Sequence, residues 1–267
     1  MISKDKRKII FFDIDGTLID DTTKLMSEST KAAISRARAN GHICLINTGR
    51  TKRMVGRDIT EQTEFDGYLM GCGTMIVYHD EVLFHKTLSE EETRLVLDAM
   101  EHHQIDGVLE GRWENFSKKP EDMYTKTFEN YARGYAKYNY ATIDRAVGSF
   151  DKLFGYGEAE NMERFRKELE DRFTFIDREN GYYEIVPKGY SKATAMEYIA
   201  ERLQIPMENT VAIGDSNNDL AMLQCAHTSI AMGNSSANVL ELADYITTDV
   251  NEDGIWNALK WLGVLDG

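Results

Sequence analysis

The run Asp13-Ile14-Asp15-Gly16-Thr17 sets two carboxylates two residues apart, directly behind a short apolar run, Ile9–Phe12. If that run is a buried strand, both acids stand at its carboxyl end, where α/β sheets open into a ligand crevice. Gly16 then lets the backbone turn away sharply. Two carboxylates this close repel each other, and a divalent cation with oxygen ligands is their natural partner. The competing reading is an acidic solvated loop, which a buried strand running straight into both acids disfavours. A second run, Val211-Ala212-Ile213-Gly214-Asp215-Ser216-Asn217-Asn218-Asp219, repeats the pattern of an apolar strand ending in acid. Asp215 could complete a hard, oxygen-rich site with Asp13. Asn218 and Asp219 fall at the start of the following helix, where an Asp also serves as an ordinary cap.

Asn47-Thr48-Gly49-Arg50 follows the apolar run Ile43–Ile46. The Thr48 hydroxyl and free backbone amides about Gly49 can cradle phosphate oxygens, although Thr-Gly after a strand is also common turn chemistry. Lys188-Gly189-Tyr190-Ser191-Lys192 sets Lys192 in the first turn of a helix, against the macrodipole's preference for anions there. A cation tolerated at that end points to a use for its charge; the alternative is an exposed surface lysine. Other conspicuous residues take structural readings. His102-His103 complements the end of a helix in preference to binding a metal. Tyr131, Tyr135, Tyr138 and Tyr140 read as packing in preference to a sugar-binding surface, and Trp256 and Trp261 as packing of the last helix. Arg50 divides evenly between substrate contact and structural ion pair.

The elements that must position these residues come in two styles. From Lys8 to about Val77, short unalternated apolar runs lead into helical patterns: strand Ile9–Phe12, a helix capped by Ser27 or Ser29 and running to Asn40, strand Ile43–Ile46, a short helix after Thr51, and strand Tyr68–Met70. The end of the chain resumes that style from a helix capped by Ser191, through strands Val211–Ile213, Ser229–Ala231 and Tyr245–Ile246, to a helix around Trp256–Leu262. Such runs suit strands buried on both faces of a parallel sheet. The middle differs. A hairpin (Met75–Tyr78 with Val82–His85) precedes a helix opened by a Ser89–Glu92 capping box. Then strands near 108–110, 153–156, 173–176 and 182–186 outnumber the helices, with a polar and aromatic stretch from Trp113 to Tyr140. The expected organisation is an α/β core at 1–86 plus 188–267, with an α+β domain inserted at 87–187.

Length and composition agree with that size of fold: 267 residues, 42% hydrophobic and 28% charged. With 31 Lys+Arg against 45 Asp+Glu the net charge is −14, so nucleic acid and anionic membrane are poor partners. An anionic substrate therefore requires a locally positive site or a metal ion. Three scattered cysteines read as reduced thiols. The basic start (Lys4, Lys6, Arg7, Lys8) is followed by too short an apolar run for a signal peptide, and no stretch approaches the ~20 apolar residues of a membrane span. The expectation is a soluble, cytoplasmic protein whose oligomeric state is not readable.

Together, FFDIDGTLI, NTGR, the lysine of KGYSKATAM and AIGDSNNDLAM resemble the haloacid dehalogenase superfamily, whose signature is these elements in this order. The insertion between the second and third motifs is similar to the larger, type IIB cap, and the chain as a whole resembles the Cof-type sugar-phosphate phosphatases. Ala193 is a small departure, since related sequences often have Gly there. The resemblance implies a Rossmann-like parallel-sheet core with an inserted α+β (type C2B) cap. It implies Asp13 as the nucleophile that becomes an aspartyl phosphate, and Asp15 as the acid and base for leaving group and water. It further implies Mg²⁺ on Asp13, the backbone carbonyl of Asp15 and Asp215, with Thr48, Gly49, Lys192 and Asn218 on the phosphate. Asp219 would orient Lys192 or a metal-bound water, and Arg50 would support the site. The partner implied is a small phosphorylated metabolite. Two other readings share these residues: phosphoryl transfer within a sugar, as in phosphomannomutases, and a regulatory binder on an inactive core. Intact Asp13, Asp15, Lys192 and Asp215 argue against the binder.

Overall fold

The computed structural model describes residues 7–20, 22–134 and 140–266. Lys4, Lys6, Tyr135 and Tyr138 lie outside the described residues. The chain divides into two compact units: Met1–Arg50, Val55–His85 and Tyr190–Gly267 in the first, Thr51–Met54 and Lys86–Gly189 in the second. Residues 51–54, expected in the core, thus group with the inserted segment.

The first unit is built on an eight-stranded sheet. Its strands are β1 (Ile9–Phe12), β2 (Ile43–Asn47), β3 (Gly67–Met70), β4 (Met75–Tyr78), β5 (Glu81–His85), β12 (Thr210–Gly214), β13 (Thr228–Ala231) and β14 (Tyr245–Ile246). The order is β14-β13-β12-β1-β2-β3-β4-β5, parallel from β14 to β3 and antiparallel beyond. Every residue of β1 and β2 is buried, which explains apolar runs without alternation. Along β1 the side chains alternate between two cores. Ile10 and Phe12 pack with α1 (Glu28–Ala39) and α9 (Gly254–Trp261). Ile9 and Phe11 pack with α6 (Lys192–Leu203), α7 (Leu220–Cys225) and α8 (Ala237–Leu242). A Phe11→Ala change would therefore cost about 3–5 kcal/mol. Of the two serines offered as caps for α1, Ser27 serves: its side chain accepts the Thr30 amide. The helix expected after Thr51 is a single turn, α2 (Arg57–Thr60).

The second unit has a six-stranded, mainly antiparallel sheet of order β10-β11-β9-β6-β7-β8. These are β6 (Asp106–Glu110), β7 (Asn115–Ser117), β8 (Ala141–Thr142), β9 (Lys152–Tyr156), β10 (Phe173–Asp177) and β11 (Tyr182–Pro187). One face carries Leu109, Leu153 and Ile185 against α3 (Glu90–His102) and α5 (Ala159–Leu169). The expected Ser89–Glu92 box opens α3. The opposite face holds Phe154, Tyr156 and Tyr182, covered by Phe128 and Tyr131 of a helix the sequence reading did not anticipate, α4 (Lys126–Gly134). Tyr131 is thus a packing residue, its ring 5.7 Å from that of Phe154. Beside these rings Lys152 is buried, 2.7 Å from Glu110 and 3.9 Å from Glu184.

Candidate active site

β1 lies between β2 and β12, at the point where the chain reverses the direction in which it adds strands. Such switch points leave a crevice beyond the carboxyl ends of the strands, because the flanking connections run to opposite faces. The register sets Phe12 beside Ile213 and Ile46, so the residues next in chain, Asp13, Gly214-Asp215 and Asn47-Thr48, emerge together. Asp13 is fixed at that level by its amide, which donates to the Ile213 carbonyl.

Lys192 crosses between the two acidic runs. Its ammonium is buried and donates to Asp13 Oδ1 and Asp219 Oδ1, both at 2.6 Å. Burial alone would pull the lysine's pKa down, but the charges of Asp13 and Asp219 outweigh it and raise it. The alternative of an exposed surface lysine is therefore excluded. The first turn of α6 is pinned as well: Ser191 caps it, and Asn47 Nδ2 donates to the Lys192 carbonyl at 3.0 Å. Asp219 is both a cap and a charge partner. Its Oδ2 accepts the Asp215 and Ser216 amides, leaving Oδ1 for the lysine. That needs a bare backbone at Gly214, where a Cβ would stand 2.6 Å from the Asp219 Cγ.

Asp215 receives the Thr17 hydroxyl on Oδ1 at 2.8 Å. Its other oxygen lies over Gly16, whose φ is +76° and whose missing Cβ would fall 2.4 Å from Oδ2. Any L-residue at 16 would meet both strain and collision. Asp13, Asp215 and Asp219 bring carboxylate oxygens within 4.8 Å of one another. Burial, then the charge of Asp219, pushes the Asp13 carboxyl up to about 7, against Lys192. Burial, then Asp219 and Asp13, pushes Asp215 up to about 8. Three carboxylates around one ammonium leave negative charge uncompensated, and an all-oxygen donor set fits a hard divalent cation such as Mg²⁺.

Asp15 is held apart from that cluster. Arg50 grips its carboxylate with two hydrogen bonds, Nε to Oδ2 at 2.7 Å and Nη2 to Oδ1, and Lys24 Nζ adds a third at 3.2 Å. Burial raises this pKa, but the Arg50 and Lys24 contacts outweigh it and hold the carboxyl below its ordinary range. The Asp15 side chain is therefore not among the clustered carboxylates, and Asp219 takes the third place. Arg50 makes an ion pair with Asp15, one of its two readings from sequence. Of the amides expected to be free, Thr48 N–H is spent on the Leu69 carbonyl. The Arg50 amide donates to Thr48 Oγ1, which keeps its own hydrogen to donate. The Gly49 amide has no partner among the described residues. Asn218 is buried beside Asp219 and accepts the Ser216 hydroxyl at 2.7 Å.

Residues 10–259 match the profile of the haloacid dehalogenase-like hydrolases. The chain belongs to that family. A 5-amino-6-(5-phospho-D-ribitylamino)uracil phosphatase of Bacillus subtilis, YcsE, is 30% identical over 253 residues, covering 95% of this chain and 94% of the relative. Among solved structures, BT1666 from Bacteroides thetaiotaomicron, a phosphatase of the superfamily, superposes with a TM-score of 0.85 at 25% identity, over 97% of this chain and 96% of the other. BT4131, a sugar phosphatase of subclass IIB, gives 0.82 at 25% identity, over 96% and 99%. The α/β fold with a parallel-sheet core is thus that of capped members of the superfamily. The protein is an enzyme of this hydrolase family, and the relatives just described carry the name phosphatase. Among the described residues no helix is long and apolar enough to cross a membrane.

Three residues escaped sequence reasoning in these positions. Thr17 and Asn47 sat inside motifs already singled out, and their polar side chains, Thr17 in the loop after β1 and Asn47 at the end of β2, were the available signal. Lys24 offered none, because its contact with Asp15 depends on how the loop after β1 folds back.

Proposed function

We propose that the protein hydrolyses phosphate monoesters of small metabolites, most simply a phosphorylated sugar or sugar alcohol, through a phosphorylated Asp13. The observation that carries this reading is the pair of hydrogen bonds that fix Lys192 between Asp13 and Asp219 at the strand switch point. Lys192 aims the Asp13 carboxylate and leaves its other oxygen to attack phosphorus in line with the departing alkoxide. The new bond joins Asp13 to phosphorus, and the ester oxygen leaves with the bonding pair. Thr48, the Gly49 amide, Asn218 and the Lys192 ammonium supply donors for the equatorial phosphoryl oxygens. Asp15 gives the leaving oxygen its proton, then takes one from the water that hydrolyses the aspartyl phosphate. Arg50 and Lys24 favour its ionised form, which suits the second half, so the first half requires Asp15 to loosen from them and take up a proton.

Asp13 and Asp215, with the Asp15 carbonyl or Asp219, are the residues that would hold Mg²⁺. Bound there, the ion offsets the repulsion between carboxylate and phosphoryl group. The cap reading gives the second unit the choice of leaving group. The names of the relatives support the substrate class: one acts on a phosphorylated ribityl chain and another on sugar phosphates.

The test is phosphate release from a panel of sugar, polyol and nucleoside monophosphates with Mg²⁺, together with acid-quenched peptide mapping during turnover. Phosphate release with a phosphorylated peptide containing Asp13 is expected. Release without phosphorylated protein would overturn the covalent route. Migration of phosphate within the sugar, with none released, would favour the mutase reading.

A further inference from the structure

Within the second unit, α3 ends on His102 with His103 as its C-cap, and α5 carries Glu168 in its last turn. His103 Nε2 lies 2.7 Å from Glu168 Oε2, and His102 Nδ1 lies 3.9 Å from the same oxygen. A nitrogen from each ring and a carboxylate oxygen lie within 4.8 Å of one another. With metal–ligand bonds of about 2.0–2.1 Å, donors at the corners of a tetrahedron stand roughly 3.3 Å apart. The two separations bracket that edge, so small rotations of the exposed His102 and Glu168 side chains about the more buried His103 would close all three donors on one ion.

The arrangement is partly preorganised. The His103 side chain is only 10% exposed, and its ring meets Phe165 edge-on at 6.4 Å. The His102 ring stacks on it at 4.4 Å with 13° between planes. Sequence alone gives this pair to the helix dipole. A dipole role accounts for imidazoles near the last carbonyls of α3, but not for both rings turning a nitrogen toward one oxygen supplied by another helix. A simple ion pair needs only one of them.

We propose that His102, His103 and Glu168 bind a borderline divalent ion, zinc foremost, with a fourth position left to water. Two imidazoles and one carboxylate suit Zn²⁺, whereas Mg²⁺ prefers oxygen donors and retains its own waters. The site is thus chemically separate from the three-carboxylate cluster, and it does not depend on the proposed phosphatase reaction. Occupied, it ties the last turn of α3 to the last turn of α5.

The test uses the full chain, free of affinity tag, stripped with chelator and kept in excess Mg²⁺. Calorimetric titration with Zn²⁺ should show a single site and a rise in melting temperature. Co²⁺ in its place should give the intense visible absorption of tetrahedral coordination. Glu168→Gln and His103→Gln should each weaken Zn²⁺ binding by at least about tenfold, since even the loss of an outer-shell partner has that effect. Phosphate release should be unchanged in both. His102→Ala, at a side chain 74% exposed, serves if the His103 variant fails to fold. Equal Zn²⁺ binding by wild type and variants, or wild-type binding weaker than about 100 µM, would overturn the site.

Discussion

The two units handle charge in opposite ways. In the first, acids converge: Asp13, Asp215 and Asp219 crowd into one buried cluster with Lys192 as their shared cation. In the second, charges largely disperse into exposed pairs along helices, such as Glu160–Arg164 and Glu129–Arg133. Lys152 with Glu110 and Glu184 is a buried exception. Exposed i,i+4 pairs contribute only about 0.3–0.5 kcal/mol each, so they need no particular residue at a particular place. A buried cluster of like charges is held against its own repulsion and tolerates almost no change in type or spacing.

The largest expected effect breaks the first unit alone. Asp13→Asn is nearly isosteric, yet a carboxamide supplies no nucleophile. We expect phosphate release to fall by at least about 10⁴-fold, with circular dichroism and the oligomeric state unchanged. Activity above roughly one per cent would remove Asp13 from the covalent step.

Removing the other unit should leave chemistry but erase choice. If residues 87–187 are replaced by a short linker, the first unit keeps both of its own apolar cores. The expected enzyme still cleaves an activated ester such as p-nitrophenyl phosphate but no longer distinguishes large sugar phosphates. An unchanged ranking of kcat/KM would return specificity to the loops around Arg50.

Metal removal tests the convergence of acids through stability. Asp13 at about 7 and Asp215 at about 8 both lie above the ordinary value of 3.8. The folded, metal-free protein therefore binds more protons than the unfolded chain, and its stability falls as pH rises toward those values. His42, whose pKa burial lowers from 6.5, works in the opposite sense only below that value. Between about pH 6.5 and 8.5, then, metal-free protein should lose several degrees of melting temperature, and Mg²⁺ should restore more at the alkaline end. Equal Mg²⁺ shifts at both pH values would mean that these carboxylates are not its ligands.

The same contrast decides what could be read from sequence. The parallel strands were legible because burial on both faces removes alternation, and Asp13, Asp215 and Lys192 stood out at their ends. The partner of Asp15 was not decided, because Arg50 had two equal readings and Lys24 meets it only through a folded loop. Helix α4 went unread since its buried residues, Phe128 and Ala132, are few and the segment is polar and aromatic. Its aromatic side chains gain their meaning from Phe154, Tyr156 and Tyr182, which come from distant strands. The histidine pair looked like helix-end chemistry until Glu168 arrived from a second helix.

The smallest expected effect concerns Trp113, the most exposed large apolar residue described, at 70%. It sits in the turn between β6 and β7, with the Arg112 guanidinium 4.6 Å from its ring and the Lys52 ammonium at 5.9 Å. Gly111 fixes that turn, since a Cβ there would fall 2.4 Å from the Ser149 carbonyl oxygen. A ring this exposed contributes little to packing, so Trp113→Ala should change stability by no more than about 0.5 kcal/mol. If the second unit chooses the leaving group, a rigidly presented indole flanked by cations is suited to stack on a ring or pyranose face of an anionic substrate. The expected result is a rise in KM of about three- to tenfold for ring-bearing phosphates with kcat unchanged, and no change for a small ringless ester such as glycerol phosphate. A fall in kcat at constant KM would instead tie Trp113 to the chemical step. Kinetics indistinguishable from wild type on every substrate would remove Trp113 from substrate recognition.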